Sequence, residues 1–199
     1  FHYLSEVFLP TLKGFGVSAV AAIEKWGFFP KGGGRIQLRI NPVRELKPIS
    51  LVDRGSLKMI RGISAISTLP RHVAERQKEQ ALKRIEKELQ ISGEIILLDS
   101  IQSNGPGSFL FLLAEYQGVL AGFSSLGVKG KPAEKVADET VDSLKDYLES
   151  SGCADPYLTD QLVPFMALAK GSSSITTIRI TEHLLTNLWV IQHFLDVTI

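Results

Sequence analysis

The chain is short of several things, and each shortage excludes something. It has one cysteine, Cys153, in 199 residues. A single thiol cannot close an internal disulfide, so a reducing, cytoplasmic setting is expected. It has four histidines, and no two of them share a metal-ligand spacing with each other or with Cys153. No structural zinc or other protein-held metal is therefore expected. It lacks an apolar run of the about eighteen residues that a membrane span needs, so no membrane partner is expected. It lacks charge of either sign in excess: the formal net charge is +1, with 22 basic and 21 acidic residues. Overall charge therefore announces no nucleic-acid binder, and any RNA contact must come from a local patch. It lacks an initial methionine and opens with His2-Tyr3-Leu4-Ser5-Glu6-Val7-Phe8, which reads as the middle of a helix. It stops at Asp196-Val197-Thr198-Ile199, which reads as an unfinished strand. The expectation is a piece of a longer protein.

What is present is ordinary globular material. Hydrophobic residues make up 44% and charged residues 22%, enough to bury a substantial core. Residues 3–14 read as the end of an amphipathic helix closed by Gly14. Val17 to Lys25 reads as a strand. Trp26-Gly27-Phe28-Phe29-Pro30-Lys31-Gly32-Gly33-Gly34 is turn chemistry, with glycines free to take positive φ. Arg35 to Ile40 alternates polar and apolar residues, the pattern of a half-buried strand, and completes a hairpin. Asn41 to Pro48 is a connector. Leu57 to Ser67 reads as a strand, Pro70 to Leu89 as a charged helix with Leu82, Ile85 and Leu89 inward, and Glu94 to Ile101 as a strand. Phe109 to Tyr116 and Val119 to Phe123 should pair around Gly118. Pro132 to Leu148 reads as a helix. The fold class is α+β, with a boundary near 51–152 for a compact unit of its own.

The last stretch carries the chemical signals. Asp155-Pro156 is a helix start, an Asp N-cap followed by Pro in the first turn. Leu158, Leu162, Phe165, Met166 and Ala169 supply its apolar face. Tyr157, Asp160 and Gln161 share another stripe, where an aromatic ring, a carboxylate and an amide suit a base and a ribose. A solvated helix face is the plainer reading of the same residues. Gly171 closes the helix, and Ile175 to Ile180 alternates as a strand. Thr181 then caps a final helix, with Leu184, Leu188, Ile191 and Leu195 on its buried side. That puts His183 in the first turn, beside free backbone N–H groups that attract phosphate. The dipole end there disfavours imidazolium, and a neutral imidazole beside phosphate can attack phosphorus. Thr186 and Asn187 follow on its stripe. A partly exposed histidine with no duty is the competing reading.

Two further features invite over-reading. Pro30-Lys31-Gly32-Gly33-Gly34 lacks the G-x-x-x-x-G-K-[ST] spacing of a phosphate loop, and no helix follows it. Arg71, Arg76, Lys78, Lys83, Arg84 and Lys87 are interleaved with Glu75, Glu79, Glu86 and Glu88, the composition of a solvated helix surface.

Together these pieces resemble the RNA 3'-terminal phosphate cyclases. The family's hairpin signature is matched by Gly27, Pro30, Gly32, Gly33, Gly34 and Ile36, with Trp26 where the family usually has Arg or His. Asp53-Arg54-Gly55 with Arg61-Gly62, Pro70 to Arg76, Gly105-Pro106-Gly107, Gly122 to Gly127, Tyr157 to Leu162 and His183 to Asn187 are similar too. The resemblance implies a large domain of repeated two-helix, four-stranded units with an inserted smaller α+β domain. On that plan residues 1–52 belong to the large domain, 53–152 to the insert, and 153–199 return to the large domain. It implies ATP-dependent conversion of an RNA 3'-phosphate to a 2',3'-cyclic phosphodiester, releasing AMP and pyrophosphate, with His183 adenylylated on the way. It implies an ATP pocket at Tyr157, Leu158, Thr159, Asp160, Gln161 and Asn187, a divalent cation (Mg or Mn) with the nucleotide, and RNA with a 3'-phosphate end as partner. Part of the family's site would lie upstream of this sequence. The alternative is a non-catalytic cyclase-like protein acting in ribosomal RNA processing, which lacks the histidine motif.

Overall fold

The computed structural model describes residues 1–198. It opens on a π-helical turn, Leu4–Phe8, that runs into a short helix α1 (Leu9–Leu12). Strands β1 (Ser18–Lys25) and β2 (Arg35–Asn41) then form an antiparallel hairpin. Gly32 and Gly33 at its tip take positive φ, whereas Gly34 does not. After β3 (Ser50–Leu51) comes a unit of four strands and two helices. Its members are β4 (Leu57–Ser67), α2 (His72–Leu89), β5 (Gly93–Leu98), β6 (Gly107–Tyr116), β7 (Leu120–Leu126) and α3 (Ala133–Glu149). The strand order is β5-β4-β6-β7. Strands β4 and β5 are parallel and joined through α2, while β6 runs antiparallel to both its neighbours. A parallel pair needs such a crossover, and the helix supplies it. Helix α4 (Pro156–Leu168), strand β8 (Ser174–Ile175) and helix α5 (Glu182–Phe194) complete the chain. The α+β class expected from the sequence is what the structure has.

The four-stranded sheet is covered on both faces, and the period of two in β6 decides which residue goes where. Leu110, Leu112 and Ala114 face α2 and α3, meeting Ile85, Val141, Leu144 and Tyr147. Phe111 and Leu113 face the other way, meeting Val7, Leu9, Leu12 and Phe15 from the start of the chain and Leu158 and Leu162 from α4. So β6 reads as a nearly continuous apolar run because it is buried twice. The hairpin also docks on the turn at residues 102–107. Trp26 N–H donates to the carbonyl of Gln102 at 3.2 Å, Lys25 Nζ meets Asn104, and Phe28 lies against Gly107.

Three expectations fail. Strand β2 forms, but it is exposed on both faces rather than half-buried. Its one sheet partner is β1, and Ile36, Leu38 and Ile40 remain exposed. Ile175 to Ile180 is not a strand beyond Ile175. Its parallel partner β3 is only two residues long, and a single bridge from Ala154 to Thr177 follows. Residues 196–198 take no regular strand, and Ile199 lies outside the described residues. Among the described residues no helix is long and apolar enough to cross a membrane.

Candidate active site

The site is built where α4 meets α5, and both helices begin on strong caps. Asp155 has extended backbone geometry, and its Oδ1 accepts from the Leu158 N–H at 2.9 Å. The same oxygen accepts from the Tyr3 hydroxyl at 2.7 Å, tying the start of the chain to α4. Asp155 is buried, and desolvation pushes its carboxyl up from 3.8 to about 6. The N–H and O–H donors around it act in the opposite direction without prevailing. The Tyr3 hydroxyl is pushed up as well, first by burial and then by the Asp155 charge.

Helix α5 starts in the same manner. Thr181 is extended, and its Oγ1 accepts from the Leu184 N–H at 3.0 Å. The hydroxyl also donates to Asp160 Oδ1 at 2.6 Å. His183 follows in the first turn with its side chain exposed. The amides of Glu182 and His183 have no preceding helical turn to accept them, so they point outward at the positive end of the dipole. Thr186 Oγ1 is turned back to the carbonyl of Glu182 at 2.8 Å. Asn187 Nδ2 donates to the backbone carbonyl of Asp160 at 2.9 Å. Below these polar contacts, Val163 of α4 packs on Leu184 and Ile191 of α5.

The residues expected to bind nucleotide divide into three kinds. Tyr157 and Gln161 are exposed on the outer stripe of α4, and Tyr157 meets Tyr3 edge-on at 6.2 Å between ring centres. Leu158 and Thr159 are buried, Leu158 in the core and Thr159 with its hydroxyl on the Asp155 carbonyl at 3.1 Å. Asn187 donates to the backbone carbonyl of Asp160, whose carboxylate is taken by Thr181. A cleft of about 800 Å³ opens between α4, residues 169–177 and α5. Its walls mix Val163, Met166, Leu184 and Leu188 with Ser173 and Thr177, and of the residues expected to bind nucleotide Thr159 lines it while Tyr157, Gln161 and His183 do not. No cation lines it either. A cleft without a positive group is a poor seat for a polyphosphate, so the His183 turn and not the cleft is the candidate site.

The RNA 3'-terminal phosphate cyclase family profile matches residues 1–199. The chain belongs to the RNA 3'-terminal phosphate cyclase family. It is 39% identical over 193 residues to an RNA 3'-terminal phosphate cyclase of Thermococcus onnurineus, covering 97% of this chain and 56% of that protein. It is 41% identical over 178 residues to that of Methanopyrus kandleri, covering 87% and 51%. It is 34% identical over 194 residues to that of Gloeothece citriformis, covering 96% and 54%. The chain thus spans about half the length of the curated cyclases it matches.

Contacts of this cyclase-family chain whose partners the sequence does not announce locally include two at the site. One is the Tyr3–Asp155 bond across 152 positions, which has no local signal. The other is the Asn187–Asp160 carbonyl bond. That one had a visible signal in Pro164, a helix-interior proline whose missing N–H leaves a carbonyl looking for a donor.

Proposed function

We propose that this chain carries the nucleophile of an ATP-dependent RNA 3'-phosphate cyclase, with His183 as that nucleophile. The observation that carries the reading is an exposed histidine in the first turn of α5, at a helix start capped by Thr181. In the first step a ring nitrogen of His183 attacks the α-phosphorus of ATP. The N–P bond forms, the bond to the β-phosphate oxygen breaks, and pyrophosphate leaves. The other ring nitrogen gives up its proton. The outward amides of the first turn are suited to hold phosphate oxygens during that exchange.

In the second step an oxygen of the RNA 3'-phosphate attacks the adenylyl phosphorus. The N–P bond breaks and His183 is regenerated. In the third, the neighbouring 2'-hydroxyl attacks the 3'-phosphorus, loses its proton and expels AMP, closing the 2',3'-cyclic phosphodiester. The logic is that a phosphate monoester has no good leaving group until AMP is attached to it.

Tyr157 and Gln161 are the exposed groups on α4 suited to adenine and ribose. Buried Leu158 and Thr159 shape that stripe from behind. Mg or Mn would accompany the nucleotide. Among the described residues no three His, Cys, Asp or Glu side chains are grouped to cage a cation. The setting is cytoplasmic, in keeping with a lone buried thiol at Cys153.

The test uses ATP labelled at the α-phosphate, with the wild type beside His183→Ala. Label retained on denatured wild type, stable to alkali, lost in acid and absent from His183→Ala, is expected. The measurement is run on this chain and on this chain joined to the remainder of a family protein. No label in either form would overturn the reading in favour of a non-catalytic RNA-processing role.

A further inference from the structure

We propose that Asp160 and Asn187 form a clip that sets the rotation of α5, and so the aim of His183, and that Pro164 creates the vacancy the clip fills. The assignment rests on the nucleophile reading only for its effect on activity; the clip itself stands on geometry. Pro164 lies inside α4. Its nitrogen carries no hydrogen, and in a helix that hydrogen would have gone to the carbonyl four residues back. That carbonyl belongs to Asp160. Left alone, a half-buried carbonyl without a donor is destabilising. Asn187 Nδ2 occupies the place at 2.9 Å. The Asp160 carboxylate meanwhile accepts from Thr181 Oγ1 at 2.6 Å, and Thr181 Oγ1 accepts from the Leu184 N–H.

One residue of α4 therefore grips α5 twice, once at its cap and once in its second turn. The two grips bracket His183. Apolar packing between the helices rests on Val163, Leu184 and Ile191 with a few half-buried neighbours, and apolar contacts are not directional. The two hydrogen bonds are, so they specify rotation where packing does not. Asn187 is on this account a positioning residue, and its amide is committed to α4 rather than free for nucleotide.

The test is a double-mutant cycle between Asn187→Ala and Pro164→Ala on this chain. An alanine at 164 restores an N–H for the Asp160 carbonyl, so it should relieve the loss of Asn187. In the Pro164 background, Asn187→Ala is expected to lower Tm by about 3 to 6 °C. It should also slow labelling of His183 at saturating ATP by about tenfold, with KM for ATP little changed. In the Pro164→Ala background both losses should shrink by at least about half. Equal losses in the two backgrounds, or a raised KM with an unchanged saturating rate, would make Asn187 a nucleotide ligand and overturn the clip. The melting cycle needs no nucleotide. Coupled Tm losses in a wild type that takes no label would therefore keep the clip while the nucleophile reading fell. Label with uncoupled Tm losses would do the reverse.

Discussion

Replacing Asp155 by Asn should change how stability depends on pH, and the size of the change can be worked from the structure. Burial raises the Asp155 carboxyl from 3.8 to about 6. The folded chain then binds a proton that the unfolded chain releases between those values. Stability from this group is complete below pH 3.8 and is lost as pH rises through 6. The loss amounts to about 3 kcal/mol. Asparagine caps a helix about as well as aspartate. Its Oδ1 can still accept from the Leu158 N–H and the Tyr3 hydroxyl, the two short bonds of the site. The 3.5 Å approach of the Gly122 N–H to Oδ2 is forfeited.

Asp155→Asn should therefore sit within about 1 kcal/mol of wild type at pH 4 and gain on it by about 3 kcal/mol by pH 8. Urea unfolding from pH 4 to 8, with m unchanged, measures the difference directly. His2 complicates the wild-type curve but not the difference. Burial holds its imidazole down to about 4, against a smaller opposing pull from Glu6. Its contribution is lost as pH falls from 6.5 toward 4, opposite in sign to that of Asp155, so the wild-type curve should look flat. A difference between Asp155→Asn and wild type that does not move with pH would refute the argument.

Gly107→Ala drives a Cβ into the Phe28 ring, which stacks on Trp26. Displacing that ring should cost about 2 kcal/mol or more and alter the near-UV circular dichroism of Trp26. Unchanged spectra and stability would mean that the hairpin tip is not docked on the 102–107 turn. Thr181→Ala removes a cap and the Asp160 bond together, so a loss of about 2 kcal/mol is expected, with slower labelling of His183. Thr181→Ser keeps the hydroxyl and should recover most of both, and a serine as poor as alanine would rule out the cap as the cause.

Most of the element pattern was legible because it is local. The caps at Asp155 and Thr181, the Gly32–Gly33 turn and the 3.6-residue rhythm of α2 each depend on neighbours in sequence. Strand β2 shows the limit. Its alternation of Ile36, Leu38 and Ile40 is a strand signal and gives a strand, but burial of the apolar face depends on what packs above it, which alternation does not encode. Ile175 to Ile180 fails for a related reason, since its pattern is strand-like but its partner β3 is two residues long. At the site, the placement of His183 beyond a capping threonine followed from spacing. The inward turn of Thr159 and the bond between Asp160 and Asn187 did not, because both depend on how α4 lies against the rest.

The arrangement around α4 explains why a polar clip belongs here. Leu158 and Leu162 bury one side of α4 in the core shared with β6 and the start of the chain. Val163 presents another side to α5. Helix α4 is thus the piece through which the well-packed sheet positions the helix that carries His183. The first of these interfaces is large and apolar, so α4 is held firmly. The second is small: Leu184 and Ile191 are the buried anchors of α5, while Leu185, Trp189 and Phe194 on the same helix are exposed. A helix held by so few apolar contacts can roll at low cost, and a roll would swing His183 through an arc. Directional bonds from a residue on the rigid partner are the economical remedy. Pro164 supplies the open acceptor for one of them and the Asp160 carboxylate supplies the other.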